Sequence, residues 1–158
     1  MDNGKIIIRK SPTADTRTAD HVVTCDELLK SSVMHIKDVA RAMRFFAEQL
    51  EERAYEHDYT KLTHFDEFYE MFHNAQLTGE WHGDWYNGIH CSLERHHLKD
   101  GAPEDVDLID VIEQICDCVM AGLARSGHYR TEDLPGGLLE KAYENTIRKL
   151  LSMVEVKE

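Results

Sequence analysis

The chain has 158 residues, 42% of them apolar and 30% charged, which predicts one ordinary soluble domain able to bury its own core. Thirty acids against 18 Lys and Arg give a net charge of −12, and no basic stripe offsets it, which excludes duplex nucleic acid held by counterion release. No apolar run approaches the ~18 residues of a membrane-spanning helix, so no membrane partner is expected. Lys5–Arg9 is far too short for a signal-peptide core, and the cytoplasm is the expected location.

Residues 1–20 read as an irregular arm, with a short strand possible at Lys5–Arg9 and a polar, loop-like stretch from Ser11 to Thr16. Residues 21–158 read as one all-α domain. Ser31 or Ser32 is the expected N-cap of a first helix, whose apolar stripe is Ile36, Val39, Ala40, Met43, Phe46, Ala47 and Leu50. Phe65, Phe68, Tyr69 and Phe72 recur three and four apart, a spacing that predicts a core-facing aromatic stripe. Residues 76–88, with three glycines and both tryptophans, read as a long loop.

A short helix is expected from Ile89 to Leu98. Pro103-Glu104-Asp105 suits the first turn of the next helix, with proline at the start and acids at the positive dipole end. Its expected buried face carries Val106, Ile109, Ile112, Cys116, Met120 and Leu123, and it stops near Gly127. Gly136-Gly137 precedes a last helix with Leu138, Ala142, Ile147, Leu150, Leu151 and Val154 inside. The expected fold is an all-α bundle of five or six helices. Cys25, Cys91, Cys116 and Cys118 lack the paired C-x-x-C spacing of a zinc ribbon and read as buried free thiols.

Ten histidines are the compositional outlier, and most fall from His57 to His97. Three polar clusters remain once the core positions are removed. The first is His57-Asp58-Tyr59-Thr60-Lys61. In the second, His90 to His97, an unbroken helix sets His90 and His97 two turns apart with Glu94 between them on one face. The third is Asp107, Asp110, Glu113 and Asp117, the last three spaced i,i+3,i+7 along one side of a helix. Each cluster alone is compatible with a solvated surface. Together, imidazoles and carboxylates from separate helices suit a divalent transition metal (Mn, Fe, Co, Ni or Zn). A magnesium site, built from oxygens, would leave the histidines idle.

The ordered set His35, His57-Asp58-x-x-Lys61 and Asp117 resembles the HD-domain metal-dependent phosphohydrolases. More closely, the chain resembles an uncharacterised all-α family of phages and bacteria over about residues 33–152. The matching stretches are His35-Ile36-x-x-Val39, Arg53-Ala54-x-x-His57-Asp58-x-Thr60-Lys61-Leu62, Arg95-His96-His97, Asp107 to Asp117, and Glu144-Asn145-Thr146. That family often has Pro-Glu-His after the paired histidines, where this chain has Leu98-Lys99-Asp100, and a tryptophan where this chain has Cys118.

These observations single out His57, Asp58, His96, His97, Asp117, His90 and Glu113 as metal ligands, with His35 the outermost. His35 can join His57 only if the chain folds back between them. Lys61, helped by Arg95, would stabilise phosphate charge in a phosphohydrolase acting on a small phosphorylated substrate such as a nucleotide. Two other functions fit the same residues. One is a non-catalytic, metal-stapled accessory protein. The other is an all-α nucleoside-triphosphate pyrophosphatase using Glu67-x-x-Glu70 and Glu113-x-x-x-Asp117 with magnesium.

Overall fold

The computed structural model describes residues 4–11, 19–81 and 83–157. Most of the expected loop at Ser11–Thr16 lies outside them. The first long helix, α1, spans Cys25–Glu56 and starts earlier than Ser31 or Ser32. Thr24 Oγ1 accepts the Glu27 N–H at 3.3 Å, and the Glu27 carboxylate accepts the Thr24 N–H at 2.9 Å. This reciprocal box satisfies donors that a serine further along would leave orphaned. Ser31 is instead buried inside the helix.

The chain divides into two units, Met1–Gln49 with Ile147–Glu158, and Leu50–Thr146. In the first unit, β1 (Ile6–Arg9) pairs in parallel with β2 (Val154–Lys157), Ile6 opposite Val154. The Lys5 ammonium donates to the Ser152 carbonyl, and Lys10 N–H to the Lys157 carbonyl. A groove lined by Ile7, Arg9, Met34, Lys37 and Arg41 places β1 beside one flank of α1. Of the expected apolar stripe only Ala40 lines that groove, and Ile36 and Met43 are 64% and 67% exposed.

The second unit holds the shorter helices α2 (Thr60–Thr63), α3 (Phe65–Thr78), α4 (Cys91–Leu93) and α5 (Leu98–Gly101). It also holds α6 (Leu108–Ser126) and the start of α7 (Leu138–Met153). Helices dominate the described residues, as expected for an all-α protein, and none is long and apolar enough to cross a membrane. The core of the unit is Leu98, Val106, Val111, Leu138 and Ala142. Asn145 Nδ2 donates to the Val106 carbonyl at 2.9 Å, and Thr146 Oγ1 accepts the Leu108 N–H at 3.0 Å. These two bonds pin α7 to the start of α6.

Five local expectations are corrected here. α6 begins after Asp107 rather than at Pro103. The Asp107 side chain accepts the N–H groups of Ile109 and Asp110, and Asp110 returns a bond to the Asp107 N–H. Carboxylate caps outcompete the proline start. The expected 89–98 helix breaks. A π-helical turn covers Trp85–His90, and after α4 the backbone is extended at Glu94, with ψ 112. On α6 the inward side carries Ile109, Asp110, Glu113 and Gln114, whereas Ile112, Met120 and Leu123 are exposed. Cys25 and Cys116 are likewise exposed, and Cys91 and Cys118 only half-buried. The aromatic stripe of α3 is only partly core, since Phe65, Tyr69 and Phe72 are exposed while Phe68 stacks on Trp85 at 4.5 Å.

Removing the Asp107 carboxylate tests the capping assignment. Asp107→Ala is expected to lower unfolding stability by about 1 kcal/mol, read as a lower urea midpoint at unchanged slope. A wild-type midpoint would show that the box does not hold the start of α6.

Candidate metal centre

The cluster is assembled where α1 ends. His57 N–H still bonds the Arg53 carbonyl at 2.9 Å, but Asp58 adopts φ 57, the left-handed region. Aspartate visits this region more readily than most residues, yet such a conformation at a non-glycine residue is uncommon and concentrates at functional sites. The turn it makes leads directly into α2, whose first residue, Thr60, is fully buried.

Asp58 presents its two oxygens to two sets of partners. Oδ1 lies 3.5 Å from His90 Nε2 and 3.7 Å from His96 Nε2. Oδ2 lies 3.5 Å from His57 Nε2 and pairs with the Lys61 ammonium. Glu113 Oε1 stands 3.0 Å from His57 Nδ1 and 3.1 Å from His96 Nδ1, and Asp117 Oδ1 is 3.8 Å from His57 Nε2. Potential ligand atoms therefore converge in overlapping sets, each within 4.8 Å: Asp58, His90, His96 and His97; His57, His96 and Glu113; His57, Asp58 and Asp117. His96 is 1% exposed, and among the described residues neither of its ring nitrogens nor Asp58 Oδ1 makes a well-formed hydrogen bond. Buried polar atoms are rarely left so, and a cation on the Asp58 side would take Asp58 Oδ1 and one ring nitrogen of His96. The donor set of imidazoles and carboxylates fits a metal ion.

The tautomer of His90 follows from its neighbours. The Glu94 carboxylate accepts from Thr60 N–H at 2.9 Å and from Thr60 Oγ1–H at 2.7 Å. With its proton committed, the Thr60 hydroxyl accepts from His90 Nδ1–H at 2.7 Å. His90 Nε2 is left as the lone-pair nitrogen on the Asp58 side. Burial, and then the neighbouring His97, hold His90 down at about 4, so the ring is neutral at physiological pH.

The opposite side is ionic. Asp117 and Glu113, against burial, raise His57 to about 10. Burial pushes the Glu113 carboxyl up, but His57, His96 and Arg53 outweigh it and hold it at about 2. Asp117 is held at about 2, chiefly by His57. Without metal, the imidazolium of His57 supplies positive charge between carboxylates. A metal bound through that ring has to displace its proton.

Two expected members take other roles. Arg95 grips Asp110 with Nε and Nη2, each at 2.8 Å, and reaches Asp105 at 3.0 Å. Arg53 lies 3.5 Å from Asp110 and 3.2 Å from Glu113. Asp110 is thus tied to arginines and to the α6 cap, and Arg95 serves as a brace. His35 is exposed on α1 in the first unit. α1 makes no turn between His35 and Glu56, a stretch of about 30 Å, so the fold-back that would bring His35 to His57 is not made. The His90–Glu94–His97 face expected of an unbroken helix is also replaced. The break at Glu94 turns Glu94 to Thr60 while His96 and His97 join His90. Glu67 and Glu70 stay exposed on α3, outside the cluster.

Sequence reasoning missed Thr60, Arg53 and Trp85 as partners of the cluster. Thr60 lies within the His57–Lys61 run, but its burial depends on contacts remote in sequence. Compared with protein-family models, curated proteins and solved structures, the chain matches none.

Replacing Thr60 with its hydroxyl-free isostere tests the support of His90. Thr60→Val is expected to weaken Zn or Mn binding by about 10- to 100-fold in a calorimetric titration, while His35→Ala leaves it unchanged. Equal loss in both variants would contradict this assignment of ligands and support.

Proposed function

We propose that the protein is a metal-dependent phosphohydrolase acting on a nucleotide or related phosphoester. The observation that carries this reading is the opening of the cluster onto a cavity of about 670 Å³, lined by His90, His96, His97 and Asp117 together with Lys61. A site that only staples helices needs neither an open face nor a cation beside it.

His57, Asp58, His90, His96, His97, Glu113 and Asp117 are the residues that would hold the metal. A mixed nitrogen and oxygen set favours Mn, Fe, Co, Ni or Zn over Mg. Bound there, such an ion supplies Lewis acidity towards water and a phosphoryl oxygen. The protein's own groups do the rest. Lys61, held by Asp58 at the cavity wall, offsets charge on the phosphoryl oxygens as it develops. Thr60 and Glu94 keep His90 Nε2 in its lone-pair form. Arg53 and Arg95 keep the α6 acids in place. The His57-Asp58-x-x-Lys61 run that resembles the HD-domain phosphohydrolases supports the same reading, although His35 stands apart from it.

Purified protein is expected to carry stoichiometric transition metal, and a chelator should lower its melting temperature, since a ligand of the folded state stabilises it. His57→Ala and Asp58→Ala should each abolish metal binding. An unchanged melt and no bound metal would remove the proposal.

Lys61→Ala separates catalysis from stapling. It is expected to keep metal content and melting temperature while losing most phosphate release from a nucleotide panel. Wild-type turnover in Lys61→Ala would reduce Lys61 to an exposed-side partner of Asp58, worth under about 1 kcal/mol. A metal-loaded protein inert on the whole panel would favour the stapled, non-catalytic alternative.

A further inference from the structure

We infer that the cavity beside the metal cluster is a subsite for the heterocyclic base of a nucleoside monophosphate, stacked against Phe72, Trp81 and Tyr86, with the phosphate at the Lys61 end. The inference rests on the phosphohydrolase reading and fixes the organic half of its substrate.

The cavity has two kinds of wall. One is the cluster with Lys61. The other is aromatic, built from Phe68 and Phe72 of α3 and from Trp81, Trp85 and Tyr86 in the segment that follows. Both tryptophans of the chain stand in it. If the rings were simply core, they would be covered. Trp85 is, and Phe68 is half-buried: they stack on each other at 4.5 Å, and Trp85 lies almost parallel to His90 at 4.7 Å. Phe72 and Trp81, which meet edge-on at 6.0 Å, remain 43% and 66% exposed. The stacked pair forms a rigid backing, and the uncovered rings offer faces on which a planar ring can stack.

Two further observations point to a polar heterocycle rather than a hydrocarbon. Trp85 is 4% exposed, and its Nε1–H has no hydrogen-bond partner among the described residues. A buried donor left in this way is unfavourable, and an acceptor on the ligand would satisfy it. Arg125 and Arg130 also line the cavity, Arg130 paired with Glu132 at 3.6 Å, so that in a chain of net charge −12 three cations stand against Asp117 and Glu132 around one opening. That charge suits a phosphorylated ligand. The volume of about 670 Å³ lies within the range of single small-molecule sites, which suits one nucleotide rather than a strand.

The test is calorimetric titration of the metal-loaded full chain with AMP, GMP, CMP and UMP, and in parallel with ribose 5-phosphate. Tryptophan emission serves as a second signal, because both tryptophans report on the cavity. At least one nucleotide is expected to bind about tenfold or more tightly than the sugar phosphate, and to change the emission saturably. Trp81→Ala and Phe72→Ala, both at exposed rings, should remove that advantage with melting temperature and metal content unchanged. Nucleotides binding no better than ribose 5-phosphate would overturn the subsite, even if both were hydrolysed. The same holds if both variants keep the preference. Preferential nucleotide binding without hydrolysis of any phosphoester would keep the subsite and overturn the phosphohydrolase reading.

Discussion

A carboxylate taken out of water costs several kcal/mol unless paired and hydrogen-bonded, and α6 buries two of them, Asp110 and Glu113, at 0% and 7% exposure. The second unit is arranged around meeting that cost. Asp110 takes the two-pronged grip of Arg95 and the Asp107 N–H. Glu113 takes Arg53 on one oxygen and His57 and His96 on the other. The first carboxylate is satisfied by fixed charges and holds the architecture. The second is satisfied partly by imidazoles, which can exchange a proton for a metal. A structural site and a chemical site thus sit one helical turn apart on the same face.

Asp58 joins the two halves of the cluster. Its left-handed backbone ends α1 and turns its carboxylate between His90 and His96 on one oxygen and His57 and Lys61 on the other. An ordinary helical residue at that position would continue α1 in place of the turn into α2. Backbone strain there is compensated by the buried Thr60–Glu94–His90 chain immediately after it. Local strain is tolerated where surrounding contacts over-determine it.

Much of this was legible in the amino-acid pattern. The spacing of Asp110, Glu113 and Asp117 placed three acids on one side of a helix, and His57-Asp58 stood out beside Lys61. The all-α class followed from the apolar periodicity. The details that failed did so for physical reasons. Helix starts were decided by reciprocal caps at Thr24 and Asp107 rather than by Ser31 or Pro103. The 89–98 segment has helix-forming residues, but Glu94 gains more by reaching Thr60 than by continuing the turn. Apolar periodicity on α1 and α6 identified a face, yet periodicity does not say whether anything in the same chain covers it. On α6 the partners lie on the acidic side, so Ile112 and Met120 were misassigned to the core. The aromatic residues of α3 followed helical spacing faithfully, but the spacing did not reveal that Phe72 borders a cavity.

His90 belongs to both walls of that cavity. Its ring edge is held by Thr60 and faces Asp58, while its plane is stacked on Trp85. Moving the ring to suit a ligand on one side would disturb it on the other. The π-helical turn that carries both Trp85 and His90 explains how residues five apart can stack face to face, since its wider turn brings i and i+5 into register. π-helical turns are rare, and they recur where an ordinary helix would put functional side chains in the wrong place. In this protein the turn couples an aromatic surface to an imidazole of the candidate metal cluster within six residues. The aromatic wall of the cavity and the placement of a candidate ligand nitrogen then depend on one short piece of backbone.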